Sequence, residues 1–460
     1  METTVKSTEK TLPVYKGEPL FGIFREFRRD AITFLEHGWH TYGDHFITKL
    51  GPFPLHVISD PQLAQEVLTV RKHVLRRSQN FERGTPLTYI LGLSLITIDG
   101  DSWLMKRRMM QPVFHRSNIT AMGGKMQAAG AAMLARWSEL PAGQTLDLTE
   151  EMKLVTLDII NRTMFSTNVL QDVDQIGGVV DSALDFIAAR VGNPFSLPAR
   201  WTIVPSHKRF WDQRARLDAY LFRMIRERRF ALAKGERKDD LLEMLIDAQD
   251  ADTGERMNDQ QVRDEVSGIY GAGHETTALA LTWAWHALNS HPEALAKIRA
   301  EVDALGHPVQ ASDLPNLPYT LAVIEETLRL FPSVPMTVRA AFDATQIGGV
   351  SIAKGDLVAI TIRNIHRHPD YWQDPLVFRP ERFLPENKAS LNRSAYMPFL
   401  SGPHMCIGNH FALMEGQLLL AMMVQRFDVT ESPKQSDEGR MAITMRPKNG
   451  LPVRITLRNS

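Results

Sequence analysis

The chain has 460 residues, 43% hydrophobic and 23% charged, the proportions of an ordinary globular protein with room for a large core. Lys+Arg and Asp+Glu both total 53, so no net charge points to nucleic acid or an anionic membrane surface. A single cysteine, Cys406, excludes an intrachain disulfide and a zinc site built from several cysteines. The polar opening METTVKSTEK has no apolar signal core, and no run of about 18 apolar residues occurs, so a soluble cytoplasmic protein is expected.

In chain order, residues 20–50 carry helix-like apolar spacing, which Gly51-Pro52-Phe53-Pro54 breaks. Residues 55–59 read as a strand, and Asp60-Pro61 opens another helix. From Trp103 to about Ala304 the pattern is mostly helical, with breaks at Leu140-Pro141-Ala142-Gly143, Gly192-Asn193-Pro194 and Lys234-Gly235. Residues 350–362 alternate like a strand pair about Lys354-Gly355-Asp356. A proline-rich irregular stretch over 374–402 precedes a helix over 407–427, and residues 442–457 suggest a hairpin turning at Lys448-Asn449-Gly450. There is no repeat, low-complexity tract or interdomain linker. The pattern predicts a mainly α protein with small β-sheets.

Residues 396–415 read YMPFLSGPHMCIGNHFALME. By residue type alone Cys406 is a buried small hydrophobe, a nucleophile or a metal ligand. Its position between a glycine-containing loop and an apolar helical run matters, because a helix N-terminus stabilises a thiolate. Gly402 lets the loop turn back, Gly408 lets the backbone lie close to a flat ligand, and Phe399 can shield the sulfur from water. The complete pattern Phe399-x-x-Gly402-x-His404-x-Cys406-x-Gly408 resembles the haem-binding loop of the cytochromes P-450. That resemblance implies haem b with Cys406 as its iron ligand, whose thiolate pushes electron density onto the metal.

Three further motifs follow in the order that family requires. Residues 270–278, YGAGHETTA, place two glycines, a carboxylate and two threonines inside an apolar helical run. Such residues are unfavourable in mid-helix, and a local conflict of this kind marks function or a bend. Ala272 and Thr276 share a face, and small residues at Ala272 and Gly273 leave room beside a ligand. The run Ala272-Gly273-His274-Glu275-Thr276 resembles the family's acid–alcohol motif, which implies that Thr276 hydrogen-bonds dioxygen at the haem and Glu275 relays protons. His274 is read as a bystander.

Glu326 and Arg329 lie at i,i+3 and match the family's Glu-x-x-Arg motif, with Arg382 as the implied third member of a core network. Trp103 and Arg107 match its Trp-x-x-x-Arg pattern, and with Arg339 and His404 they are the expected partners of the haem propionates. Lys106 and Arg108 are read as a solvated basic face, or else as a dock for an acidic electron donor. The resemblance covers the whole chain and implies one domain over residues 1–460, with residues 1–15 a flexible tail, in place of the roughly three domains that length suggests. It implies insertion of one atom of O2 into an organic substrate. Electrons are expected from a separate ferredoxin or flavodoxin with its reductase, and the chain is expected to be a monomer.

Segments 81–99, 186–201 and 334–337, Ala272 and residues 443–445 are placed against the substrate. Their apolar character points to an apolar or amphipathic molecule such as a fatty acid or terpenoid, with Arg83 a candidate carboxylate anchor. A peroxide-driven peroxygenase, a haem-thiolate isomerase and a non-enzymatic haem-thiolate sensor are the alternatives.

Overall fold

A computed structural model describes residues 11–77, 87–141, 143–166, 186, 201–238, 240–250, 252–432, 439–441 and 443–458. Its axis is a 32-residue helix, Asp259–Ser290, opened by a capping box in which Asn258 and Gln261 satisfy each other's backbone amides. Trp283 and Trp285 on this helix are almost fully buried. Around it pack the helices Leu148–Ile160, Pro205–Ala233, Pro318–Leu330 and Asn409–Arg426. The last of these, the cysteine helix, buries an unbroken apolar run from Leu418 to Val424, as befits a helix covered on all sides.

A five-stranded sheet forms the other side of the molecule. Its order is His45–Leu50, Phe53–Ile58, Leu357–Ile360, Thr337–Ala341, Leu75–Arg76. A three-stranded sheet joins Thr145–Asp147, Pro452–Leu457 and Phe427–Glu431. The mainly α expectation holds.

Several local expectations change. Residues 20–50 divide into a helix, Phe24–Tyr42, and a strand, His45–Leu50. Strands Val350–Ile352 and Leu357–Ile360 do not pair with each other: the first pairs with Thr345–Ile347, the second with Thr337–Ala341 and Phe53–Ile58. The tail hairpin also forms elsewhere, between Gly439–Met441 and Met445–Pro447, while Pro452–Leu457 crosses to the three-stranded sheet. Residues 13–15, expected in a flexible tail, pair with the first strand through Tyr15 N–H to Ile47 C=O at 2.8 Å and Ile47 N–H to Pro13 C=O at 3.0 Å. The break expected at Gly192-Asn193-Pro194 lies outside the described residues.

Candidate functional site

The cysteine loop is held by its own backbone. The Cys406 amide donates to the Phe399 carbonyl at 2.9 Å and the Met405 amide to the Gly402 carbonyl at 3.1 Å. Gly402 has φ +71°, and a Cβ there would stand 2.4 Å from the Leu68 carbonyl oxygen, so only glycine fits. At Gly408 an added Cβ would meet nothing within 4 Å, so the backbone there borders open space. Phe399 packs on the main core. Cys406 is solvent-accessible although protein surrounds it, the combination expected of a side chain that faces an internal cavity. Burial pushes its thiol up, opposed by the Gly408 amide and the Arg107 charge.

The central helix packs against the helix that follows this loop. Nearly every residue from Val262 to Leu288 is buried, yet Ala272 is exposed and Thr276 partly so. Both lie on one face, four residues apart, so that face lines a cavity. The Thr276 hydroxyl donates to the Ala272 carbonyl at 2.8 Å, and the Ser333 hydroxyl donates to the Thr276 carbonyl at 2.8 Å. Side chains thus take over helix acceptors at this point, a recognised way to loosen a helix. Gly273 does not leave room for a ligand as expected. A Cβ there would lie 2.9 Å from Ile160 Cδ1, so this glycine serves helix packing. His274 points away, with Nδ1 at 2.7 Å from the Tyr270 carbonyl, which fits a bystander. Glu275 is 1% exposed and accepts from the Thr444 hydroxyl at 3.0 Å and from Arg446 Nε.

A basic cluster sits beside the cavity. The Trp103 and His404 rings lie 4.3 Å apart, and Arg107 Nη1 donates to the Met405 carbonyl at 3.0 Å. His404 Nε2 stands 3.4 Å from Asp99 without hydrogen-bond alignment. Arg339, 4% exposed, uses Nη1 on Thr337 Oγ1 and the Val338 carbonyl, both at 2.9 Å, and its buried Nη2 has no partner.

Sequence reasoning missed Arg77, which no motif marks. It donates to the carbonyls of Leu95, Ile96 and Ile98, and its own amide donates to Asp99. Burial, then repulsion from Arg339 and Arg107, pushes the Arg77 guanidinium down to about 9. Burial likewise lowers Arg107, Arg339 and the His404 imidazole. Burial of Asp99 acts to raise its carboxyl, but the nearby His404 ring and the amides of Gly100 and Arg77 outweigh it and hold the group well below the usual range. Arg77, repelled by both Arg339 and Arg107, together with one carboxylate and an orphaned Arg339 nitrogen, forms a site short of anions. The donor set therefore fits two further carboxylates such as the propionates of a haem.

Glu326, Arg329 and Arg382 come together as expected. The first two are fully buried, with Nε–Oε2 at 2.7 Å and Nη2–Oε1 at 2.8 Å, and Arg382 Nε lies 3.5 Å from Glu326. Lys106 contradicts the solvated reading. It is 4% exposed and bonds Glu265 at 2.8 Å and the Leu93 carbonyl, because it points inward from the opposite side of its helix to solvent. Arg108 is engaged too, by Asp250 at 2.9 Å and Asp252 at 2.6 Å, so neither is a free docking charge. Arg83, with residues 81–86 and 187–200 of the expected substrate segments, lies outside the described residues.

The family model named Cytochrome P450 matches residues 13–452. Cyclooctatin synthase of Streptomyces melanosporofaciens is 33% identical over 441 residues, 95% of this chain and 94% of that one. Cyclooctat-9-en-7-ol 5-monooxygenase of the same organism is 32% identical, over 90% and 88% of the two chains. Pentalenene oxygenase of Streptomyces avermitilis is 29% identical over 96% of each. The crystal structure of the cytochrome P450DA heme domain superposes with a TM-score of 0.89 at 26% identity, covering 97% of each chain.

Fold and cavity are those of an oxygen-activating haem enzyme. The chain belongs to the cytochrome P450 family, with haem b as its cofactor. It is a monooxygenase that places one atom of O2 in an organic substrate and draws electrons from a redox partner. Among the described residues no helix is long and apolar enough to cross a membrane.

Proposed function

We propose that this single-domain chain oxygenates a cyclic terpenoid, with Cys406 as the thiolate ligand of the haem iron and Glu275 and Thr276 as the proton-delivering pair. The carrying observation is the exposed face of Ala272 and Thr276 in a mostly buried helix, together with an accessible Cys406 that protein surrounds. Haem, when bound, supplies the oxygen-activating chemistry. The chain supplies everything around it.

Arg77, Arg107, Arg339, His404 and Trp103 would hold the propionates, which would answer the anion deficit beside the unpartnered Arg339 nitrogen. Gly402 and Gly408 would let the loop pass close to the group, and Phe399 would shield the sulfur. Ala272 gives the substrate space beside the helix. The Thr276 hydroxyl, already donating to Ala272, presents its oxygen lone pair to the cavity as a hydrogen-bond acceptor. Glu275 stands on the adjacent position as the source of protons. A ferredoxin or flavodoxin supplies electrons to a monomeric enzyme.

The substrate class rests on the named activities of the three Streptomyces relatives, all of which carry terpenoid names, and on the apolar character of the expected substrate segments. A spectral titration tests it. Cyclic sesquiterpene and diterpene hydrocarbons should shift the haem spin state at lower concentration than C12–C18 fatty acids. Tighter binding of fatty acids, with no response to any cyclic terpene, would overturn the assignment.

A further inference from the structure

Glu275 is not free in the cavity. Its buried carboxylate is gripped by two residues of the C-terminal hairpin, Thr444 through a 3.0 Å hydrogen bond and Arg446 through an ion pair. Arg446 is 22% exposed at its side chain while Glu275 is 1% exposed, so the arginine spans from the acid towards solvent. The same hairpin is tied to the central helix at two further points. Trp283 Nε1 donates to the Met445 carbonyl at 2.9 Å. The Met445 amide donates to the Ser333 carbonyl at 2.9 Å, and the Ser333 hydroxyl donates to the carbonyl of Thr276 at 2.8 Å. A closed ring of bonds therefore joins the acid, the alcohol's own backbone and the hairpin.

We propose that Arg446, assisted by Thr444, is a positioning residue that fixes the Glu275 carboxylate for proton delivery. The inference rests on the proton-relay role of Glu275 given above. A buried carboxylate without a cation is strongly disfavoured, and a carboxylate with one adopts the direction its partner imposes. Efficient transfer depends on that direction, because a misplacement of about 1 Å costs orders of magnitude. Among the described residues the hairpin makes no hydrogen bond to the Thr276 side chain and reaches that residue only through Ser333 and its carbonyl, so its direct hold is on the acid.

The experiment uses the haem-loaded protein with dioxygen and carbon monoxide as the probes, so no organic substrate is required. Dithionite-reduced protein is mixed with air-saturated buffer in H2O and in D2O, and its reoxidation is followed spectrally. The C–O stretching band of the carbon monoxide complex is recorded by infrared spectroscopy. Arg446→Gln should change the reoxidation rate about tenfold, alter the solvent isotope ratio in the same direction as Glu275→Gln, and move the infrared band. Arg446→Lys should restore both readouts, and the Glu275→Gln/Arg446→Gln pair should behave as Glu275→Gln alone.

Thr444→Val, which removes the second bond while keeping shape and charge, should show a smaller shift of the same sign and covers the case of an unstable arginine variant. Trp283→Phe removes one tie of the hairpin and leaves both bonds to the acid in place, so its effect on either readout should stay well below that of Arg446→Gln. The proposal is overturned by wild-type behaviour in both Arg446→Gln and Thr444→Val, by multiplicative losses in the double variant, or by a Trp283→Phe effect equal to that of Arg446→Gln. A Glu275→Gln protein that matches wild type would instead remove the relay role on which the inference rests.

Discussion

Replacing Arg329 with lysine keeps the charge but removes the geometry. All five guanidinium N–H groups are used: Nε and one Nη2 proton on Glu326, two Nη1 protons on the carbonyls of His366 and Pro375, and the second Nη2 proton on Val377, at 2.6 to 3.1 Å. The side chain is fully buried and its guanidinium lies 4.9 Å over the Trp372 ring. A lysine ammonium offers three protons from one point, so at least two buried acceptors lose their partner. At about 1–3 kcal/mol for each unsatisfied group, Arg329→Lys should destabilise the protein by roughly 4 kcal/mol. Urea titrations of the haem-loaded protein, followed by far-ultraviolet circular dichroism and Soret absorbance, measure this. A variant within about 1 kcal/mol of wild type would refute the claim that geometry, not charge, makes this residue necessary.

Three shorter predictions follow from other sites. Burial, reinforced by the Arg329 charge, lowers His366 from 6.5 to about 3, and its Nε2 accepts from the Met397 amide. A lowered folded value means full stability above pH 6.5 and progressive loss as pH falls towards 3, because the unfolded chain takes the proton first; at pH 5 the loss is about 2 kcal/mol, and His366→Gln should abolish that part of the acid dependence in urea titrations at pH 7 and 5. Gly402→Ala places a Cβ 2.4 Å from Leu68 O at a left-handed φ, so the purified protein should carry markedly less haem and show a weaker shifted carbon monoxide band; normal haem content would show that the loop can yield. Thr276→Ala should raise hydrogen peroxide released per NADH when electrons come from a ferredoxin, yet leave peroxide-driven turnover intact, and equal loss in both assays would place the residue outside proton delivery.

Much of the site could be read from residue order because its chemistry is local. Gly402, Cys406 and Gly408 act within one short loop, and Ala272 and Thr276 within one helical turn, so spacing alone groups them. What escaped the sequence is non-local. Arg77 joins Arg339 and Arg107 only because the five-stranded sheet and the Trp103 helix converge there. Arg446 reaches Glu275 across 171 positions. The strands Leu357–Ile360 and Pro452–Leu457 differ from expectation for the same reason: adjacent strands suggested hairpins, while their partners are Phe53–Ile58 and Thr337–Ala341 for the first and Thr145–Asp147 and Phe427–Glu431 for the second. Lys106 and Gly273 show a different gap. Periodicity gives a residue's face but not what already occupies the space beyond it, and there Glu265 and Ile160 are waiting.

The segment from Leu93 to Ile98 has two handles. Lys106 and Glu265 grip its carbonyl and amide at residues 93 and 95, and Asp264 takes the Leu93 amide at 2.9 Å. Arg77 holds the carbonyls of residues 95, 96 and 98 from the side of the basic cluster. Lys106 shares its helix with Trp103 and Arg107. A molecule that lifts this segment therefore pulls at once on the central helix, through Asp264 and Glu265, and on the basic cluster, through Arg77. Any change it makes in the cofactor's reduction potential through that cluster is matched, by reciprocity, by an equal change in its own affinity on reduction.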